Sequence, residues 1–504
     1  MYNLDLFISL DLGTSNIKGA AYDVCGNEIT FESIEYNLYT PCNGFVENDV
    51  DTYWSKILYI LNNITKKLGK RKKNVRSIST CSQGETIVPV DKKIMPLCNA
   101  IVWIDTRSIT EAVEISNNFN LKEMYKRTGY PLVDPSWPAT KVLWLRKNKP
   151  NLFKKTYKFL LLEDYIIYKL SGEIIGEASV YNSSYYYDIK KFDYIDSMIE
   201  FIGAKRKLFP DVVIPGAIIG KITQEIVSLT GLSGDTKVVI GALDQVCGAV
   251  GAGNIIEGIV SETTGSAFAM IISTKEHITN YNYKIPSILH AVPGMYCLMP
   301  YSPAGGMVLK WFKDKFCAEE SKLANKSNIS VFKIIDELAL TVPAGSEGLL
   351  LLPFLTGASF PEYNANARGV FFNIGINHGK RHFIRAILES LGYIMRNVME
   401  EIKPLSNMGK ILSSGGGATS KVWSQIKADI CGVKIEIPEY IETALLGSAI
   451  LSMRALSFYN SLEDACKNII KTKDTFIPNI ENKEVYDNCF KKYKNLYLCV
   501  DKLF

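Results

Sequence analysis

The sequence predicts an α/β protein built as two related halves. Short apolar runs alternate with segments of helical periodicity along most of the chain. A strand, a turn rich in Thr, Ser and Gly, and a second strand open the chain at 7–24 and return at 259–272. The length, 504 residues, is more than one core usually organises.

The opening stretch is the apolar run that ends on Asp11, then Gly13, Thr14, Ser15 and Asn16, then a second apolar run from Ile17 to Val24. Backbone N–H groups in a concave turn of small residues suit phosphate oxygens, and a carboxylate at the rim suits a divalent cation. An ordinary hairpin in a core sheet is the alternative. Residues 49–67 read as a helix, with Trp54, Ile57, Leu58, Leu61 and Ile64 on one face. It ends in a lysine- and arginine-rich run, 66–73, read as solvated cations at a helix C-terminus. A strand, 75–79, leads to the polar residues Gln83, Gly84, Glu85 and Thr86; in open α/β sheets ligands gather at such strand ends. Trp103, Asp105 and Arg107 follow the next apolar run. An aromatic plate beside a carboxylate and a guanidinium could hold a polyhydroxy compound. Equally, it reads as a core Trp beside an Asp–Arg pair. The tyrosines at 181–187 read as packing.

The buried run 237–242 passes into Asp244 and Gln245, and small residues follow at 248–253. An acid at the end of a buried strand, before a closely packed helix, points into a cleft. The second Thr/Gly/Ser turn is Thr264, Gly265 and Ser266. Near the C-terminus the run 411–414 enters Gly415, Gly416, Gly417 and Ala418, with a helix over 421–431. Three glycines at a strand–helix junction allow close approach to a flat ligand. The small-residue helix 443–453 is expected to pack tightly against that glycine unit.

Composition narrows the function classes. Apolar content is 47% and charged content 22%, which fits a folded protein. A net charge of +5 on this length does not argue for nucleic acid or an anionic membrane. No apolar run approaches the ~20 residues of a membrane span. The 11 cysteines are scattered and odd in number, and the four histidines do not cluster. The expectation is a cytoplasmic protein with reduced thiols and no histidine metal site.

Taken in order, these motifs resemble the FGGY carbohydrate kinases of the actin-like ATPase superfamily, a group including xylulokinases and glycerol kinases. Asp11 to Ser15 with Lys18 is similar to the first phosphate motif. Trp103–Arg107 is similar to the sugar-side motif. Ser136 to Leu145, with Lys141 and Trp144, resembles a family signature. Asp244–Gln245 resembles the catalytic segment, Thr264–Ser266 the second phosphate motif, and Gly415–Ala418 with Trp423, Gln425, Ala428, Asp429 and Gly432 the adenosine motif.

The resemblance implies two actin-like (ribonuclease H-like) domains, 1–245 and 246–504, each with a mixed central sheet flanked by helices. It places the active site in the cleft between them. It implies ATP and Mg²⁺, with Asp244 as general base and Asp11 as the metal anchor. Gln83, Glu85, Trp103, Asp105, Arg107 and Gln245 would meet the substrate. Gly13, Thr14, Ser15, Lys18, Thr264, Gly265, Ser266, Gly306, Lys310, Gly416, Gly417 and Ala418 would meet ATP. The implied acceptor is a small sugar or polyol, foremost a ketopentose such as xylulose. Glycerol, another polyol or gluconate, and a non-catalytic sugar-binding protein on the same fold, are the alternatives. Homodimers are common in the family. Two departures stand out: Ala267 replaces a hydroxyl of the second phosphate motif, and Gly84 replaces the Arg of glycerol kinases, which leaves room for a larger substrate.

Overall fold

The protein is described from a computed structural model covering residues 5–282, 284–406 and 408–504. The chain does not divide at a single point. One compact unit takes residues up to Ile255, Lys275–Cys297 and Glu442–Ile470; the other takes Ile256–Thr274, Leu298–Ile441 and Lys471–Phe504.

The first unit is built on a six-stranded mixed sheet. Its strands run, edge to edge, Ile218–Lys221, Lys237–Leu243, Val75–Ser82, Leu6–Leu12, Asn16–Asp23 and Glu28–Glu35. The three strands Lys237–Leu243, Val75–Ser82 and Leu6–Leu12 are parallel neighbours, and the others pair antiparallel. Every residue of Leu6–Leu12 is buried, as expected for a strand covered on both faces. Its polar Ser9 is satisfied inside the sheet by the Ser79 hydroxyl at 3.1 Å. The predicted helix forms as Val50–Leu68, N-capped by the Asp49 carboxylate and ended at Gly69, which has φ +57°. The lysine run behaves as solvated helix-end charge, and Lys72 and Lys73 donate to the carbonyls of Thr230 and Leu232.

A smaller antiparallel sheet, Glu47–Asn48, Ala100–Ile101, Ile87–Val90 and Lys158–Leu161, carries the loops that hold Gln83–Glu85 and Trp103. The tyrosines of 181–187 pack as read: Tyr181, Tyr185, Tyr186 and Tyr187 are buried, and three of them meet the Tyr194 ring edge-on or tilted.

The second unit repeats the pairing scheme of the first. Phe268–Thr274 pairs antiparallel with Ile259–Thr264, which runs parallel to Lys410–Ser414 and then Ile435–Pro438, with Thr472–Phe476 antiparallel at the edge. The helix Lys380–Ile402 packs against Lys421–Cys431 on this sheet.

One expectation is corrected. The small-residue helix Thr443–Ala455 packs on the helix Asp244–Ala252 and the strands of the first unit, not on the glycine unit at 415–418. A Cβ at Gly251 would overlap the Thr443 carbonyl, and one at Gly447 would overlap the Cys247 carbonyl. Small residues permit close helix contact; their pattern does not say with which partner.

Candidate active site

Three parallel strands of the first unit end side by side, and each delivers polar residues. Asp11 pairs in register with Cys81, and Leu12 with Ser82, just before Gln83. Leu243 pairs with Ser82 from the other side, just before Asp244. Asp11, Gln83–Glu85 and Asp244 therefore converge at the carboxyl ends of neighbouring strands, where ligands bind in open α/β sheets.

Charge makes this place unusual. Burial foremost, and then the negative charge of Asp11, lifts the Asp244 carboxyl to about 7, with Glu85 adding to it. Asp244 is the first residue of its helix and accepts the Gln245 N–H at 2.7 Å. Burial also lifts Asp11 to about 6, opposed by the Lys18 ammonium. The Glu85 carboxyl is raised by burial. Its backbone has φ +61°, a left-handed conformation costly for a side chain of this size and concentrated at functional sites.

The turn after Asp11 is organised by neighbours from the same unit. The Gly13 carbonyl accepts from the Tyr36 hydroxyl and, at 3.3 Å, from the Gln83 amide. The Trp103 indole N–H donates to the Thr14 hydroxyl at 2.8 Å, and the Trp103 backbone N–H donates to Thr86 at 3.2 Å. Gln83, Thr14 and Trp103 thus form one wall, with Ser15 exposed beside it. Lys18 is held by Glu442 at 2.5 Å. Expected as an ATP ligand, it meets a carboxylate of its own unit instead.

Mg²⁺ fits Asp11. One buried oxygen, Oδ1, has no hydrogen-bond partner, and such an atom is costly unless something satisfies it. Among the described residues no group of three metal-ligating side chains comes together. Asp11 with waters and phosphate oxygens is the kind of set Mg²⁺ accepts.

Several expected ligands are engaged elsewhere. Asp105 is fully buried and accepts the Arg107 N–H, its guanidinium and the Val46 N–H. The Arg107 side chain is only 4% exposed; it pairs with Asp105 at 2.8 Å and Glu47 at 2.7 Å, and lies 4.0 Å over the Phe45 ring. The pair is a buried brace: Nε and Nη2 of Arg107 are spent on Asp105 and Glu47. Gly84 leaves less room than expected: a Cβ there would meet Leu243 at 3.2 Å and Ser183 at 3.4 Å.

In the second unit, Gly265 and Ser266 are exposed, and the Gly265 N–H closes the turn on the Ala267 carbonyl at 2.9 Å. The Thr264 hydroxyl is buried: it donates to Glu262 and accepts from Lys427 at 2.9 Å, so it does not reach out to a phosphate. The Gly306 and Met307 N–H groups donate to the Gly265 and Ser266 carbonyls, which makes that segment a support for the turn. Lys310 pairs with Asp314 at 2.7 Å on an exposed helix face and is turned to solvent. Gly417 and Ala418 are buried, and a Cβ at Gly417 would overlap the Thr264 side chain. Gly416 is exposed, and a Cβ there would touch nothing within 4 Å. Packing does not require that glycine, which suits a surface kept clear for a ligand.

Lys141 is the residue that sequence reasoning left without a role. It is fully buried and donates to the Glu85 carbonyl at 3.1 Å and the Val102 carbonyl at 3.0 Å. It ties together the two loops that carry Glu85 and Trp103. Its appearance in a signature was the available signal; its long-range partners were not readable.

Comparison with known proteins identifies the family and the fold. The model of the FGGY family of carbohydrate kinases, N-terminal domain, matches residues 6–251, and that of the C-terminal domain matches 263–456. A xylulose kinase of Staphylococcus epidermidis is 28% identical over 98% of this chain and 96% of that protein. A gluconokinase of Bacillus subtilis is 28% identical over 97% of this chain and 95% of that protein. The fold matches that of a ligand-bound xylulose kinase from Lactobacillus acidophilus, with TM-score 0.89 and 23% identity, over 99% of this chain and 98% of that one. With both halves matched in order, the chain belongs to the FGGY family of carbohydrate kinases.

Proposed function

We propose that this kinase transfers the γ-phosphoryl group of ATP to a hydroxyl of a small neutral sugar, a ketopentose such as xylulose. The observation that carries this reading is the convergence of Asp11, Glu85 and Asp244 at three neighbouring strand ends, with Arg107 and Lys18 already paired to other carboxylates. Arg107 pairs with Asp105 and Glu47 and Lys18 with Glu442, while Lys141 bonds the Glu85 and Val102 carbonyls and offsets only part of the Glu85 charge. Such an acidic site suits hydroxyl groups and repels a carboxylate.

Asp244 is the general base. Its carboxylate takes the proton of the acceptor hydroxyl as that oxygen bonds to the γ-phosphorus and the bond to the β-phosphate oxygen breaks; ADP leaves and the proton remains on Asp244. A carboxyl held at about 7 is poised to accept a proton near neutrality. Gln83, Glu85 and Gln245 orient the acceptor by hydrogen bonds, and the Trp103 ring supports its carbon face. Asp11 holds Mg²⁺, which when bound would offset phosphate charge. The N–H groups of Gly13–Ser15 and of Ser266, with the Ser15 and Ser266 hydroxyls, receive phosphate oxygens, and Gly416–Ala418 lie beside the adenosine.

The Bacillus subtilis gluconokinase, equally identical at 28%, supports an aldonate as the second reading. An ADP-release screen across ketopentoses, polyols and aldonates separates the two. We expect the highest kcat/KM with a ketopentose; an aldonate ahead of every neutral acceptor would overturn the neutral-site reading, and no ADP with any acceptor would overturn kinase activity itself.

A further inference from the structure

Beneath the second turn lies a fully buried ion pair. Lys427 and Glu262 are each 0% exposed, with Nζ 3.1 Å and 3.2 Å from the two carboxylate oxygens. Glu262 also accepts from the hydroxyls of Ser413 and Thr264, and Lys427 donates its remaining bond to Thr264 Oγ1 at 2.9 Å. Every polar group of the pair is therefore matched, the condition under which a buried ion pair is tolerable. Three elements meet here: the strand Ile259–Thr264 that carries the turn, the strand Lys410–Ser414 that leads into the glycines, and the helix Lys421–Cys431 that follows them. Thr264 in turn touches the glycines: its side chain fills the space a Cβ at Gly417 would need, and its carbonyl lies 2.9 Å from where one at Gly415 would stand. The Thr263 and Ser414 hydroxyls join the two strand ends at 3.0 Å.

We propose that Lys427 and Glu262 are positioning residues for the nucleotide. The pair fixes the Thr264–Ala267 turn and the Gly415–Ala418 turn in one relative geometry, so that both are pre-formed when ATP arrives. The inference rests on the reading that these two turns receive ATP. A buried charge pair holds this geometry more stiffly than apolar packing would, because displacing either partner strands the other in a dry interior.

The test separates positioning from folding. Lys427→Met alone strands Glu262 and is expected to lower Tm sharply. The double variant Lys427→Met/Glu262→Gln carries no unpaired charge; we expect its Tm to return close to wild type, while KM for ATP stays raised roughly tenfold, the scale of one lost charge-assisted hydrogen bond. KM for the acceptor is expected to remain within about twofold, since a change outside the acceptor site alters only ATP binding. Thr264→Val keeps both charges and removes only the hydroxyl that links them to the turn, and is expected to raise KM for ATP in the same direction should the double variant not fold. Gly416→Val serves as the control for the underlying reading, because it fills the clear surface and leaves the ion pair intact. If Gly416→Val leaves ATP binding unchanged, the nucleotide assignment is wrong. If Gly416→Val weakens ATP binding but neither the double variant nor Thr264→Val does, the pair is purely structural and the inference falls.

Discussion

The two Thr/Gly/Ser turns follow strands of matching topology and read alike in sequence, yet their surroundings differ. The first ends its strand on Asp11, whose Oδ1 is buried and unpartnered. Its polar neighbours, Gln83, Trp103 and Tyr36, arrive from other loops and strands of the first unit. The second stands on a sealed ion pair in which Thr264 is committed to Glu262 and Lys427. One turn keeps an electrostatic demand open, and the other has satisfied its own internally. Similar motifs thus leave a buried acid with an open bonding position in one half and a closed network in the other.

Removing the open demand is the strongest way to break that contrast. Asp11→Asn deletes the carboxylate proposed to hold the cation, and we expect kcat to fall roughly a hundredfold or more, with a higher Mg²⁺ requirement. A steady-state titration of Mg²⁺ checks this. An unchanged requirement would leave Asp11 as a buried structural acid.

The next effect concerns the brace. Arg107→Met leaves Asp105 fully buried without its guanidinium, and a broken buried pair costs about 3–5 kcal/mol. We expect a large loss of Tm, with KM for the acceptor little changed in the fraction that remains folded. A selective rise in acceptor KM at unchanged Tm would return Arg107 to the substrate.

How much of this was legible in the sequence follows the range of the interactions. The strand–turn–strand units, the helix at 50–68 and the acid at 244 come from local pattern, and all stand where the pattern put them. The helix at 443–455 was visible as an element, but its partner was not, because a row of small residues states closeness and not address. Trp103–Arg107 marked a real cluster, whereas its orientation depended on Glu47 and Phe45, about 60 residues upstream. Lys141 and Lys427 pair with residues 56 and 165 positions away, separations at which no periodicity survives.

A smaller effect lies in the acid range of pH. Burial raises Asp164 and Glu177, behind the strand ends of the first unit, to about 7 each. Their folded values exceed the unfolded ones, so their contribution to stability is present at low pH and lost as pH rises through about 7. Paired surface acids such as Asp314, drawn down to about 2 by Lys310 and Lys313, titrate well below that window. We therefore expect Tm to rise modestly when pH is lowered from 8 to about 5.5, and Glu177→Gln to flatten the rise. Burial holds His277 and His290 at about 4 and so opposes the rise; a pH dependence of Tm identical in Glu177→Gln and wild type would show that Glu177 is not protonated in the folded protein.

The most direct measurement is made on Asp244→Asn, an isosteric change that removes the proposed base. We expect ATP and acceptor to bind with near wild-type affinity by calorimetry, while kcat falls by roughly 10²–10⁴, the usual worth of a positioned general base, and the acid limb near pH 7 disappears from kcat/KM. Full turnover by Asp244→Asn, with the acid limb intact, would contradict the central assignment.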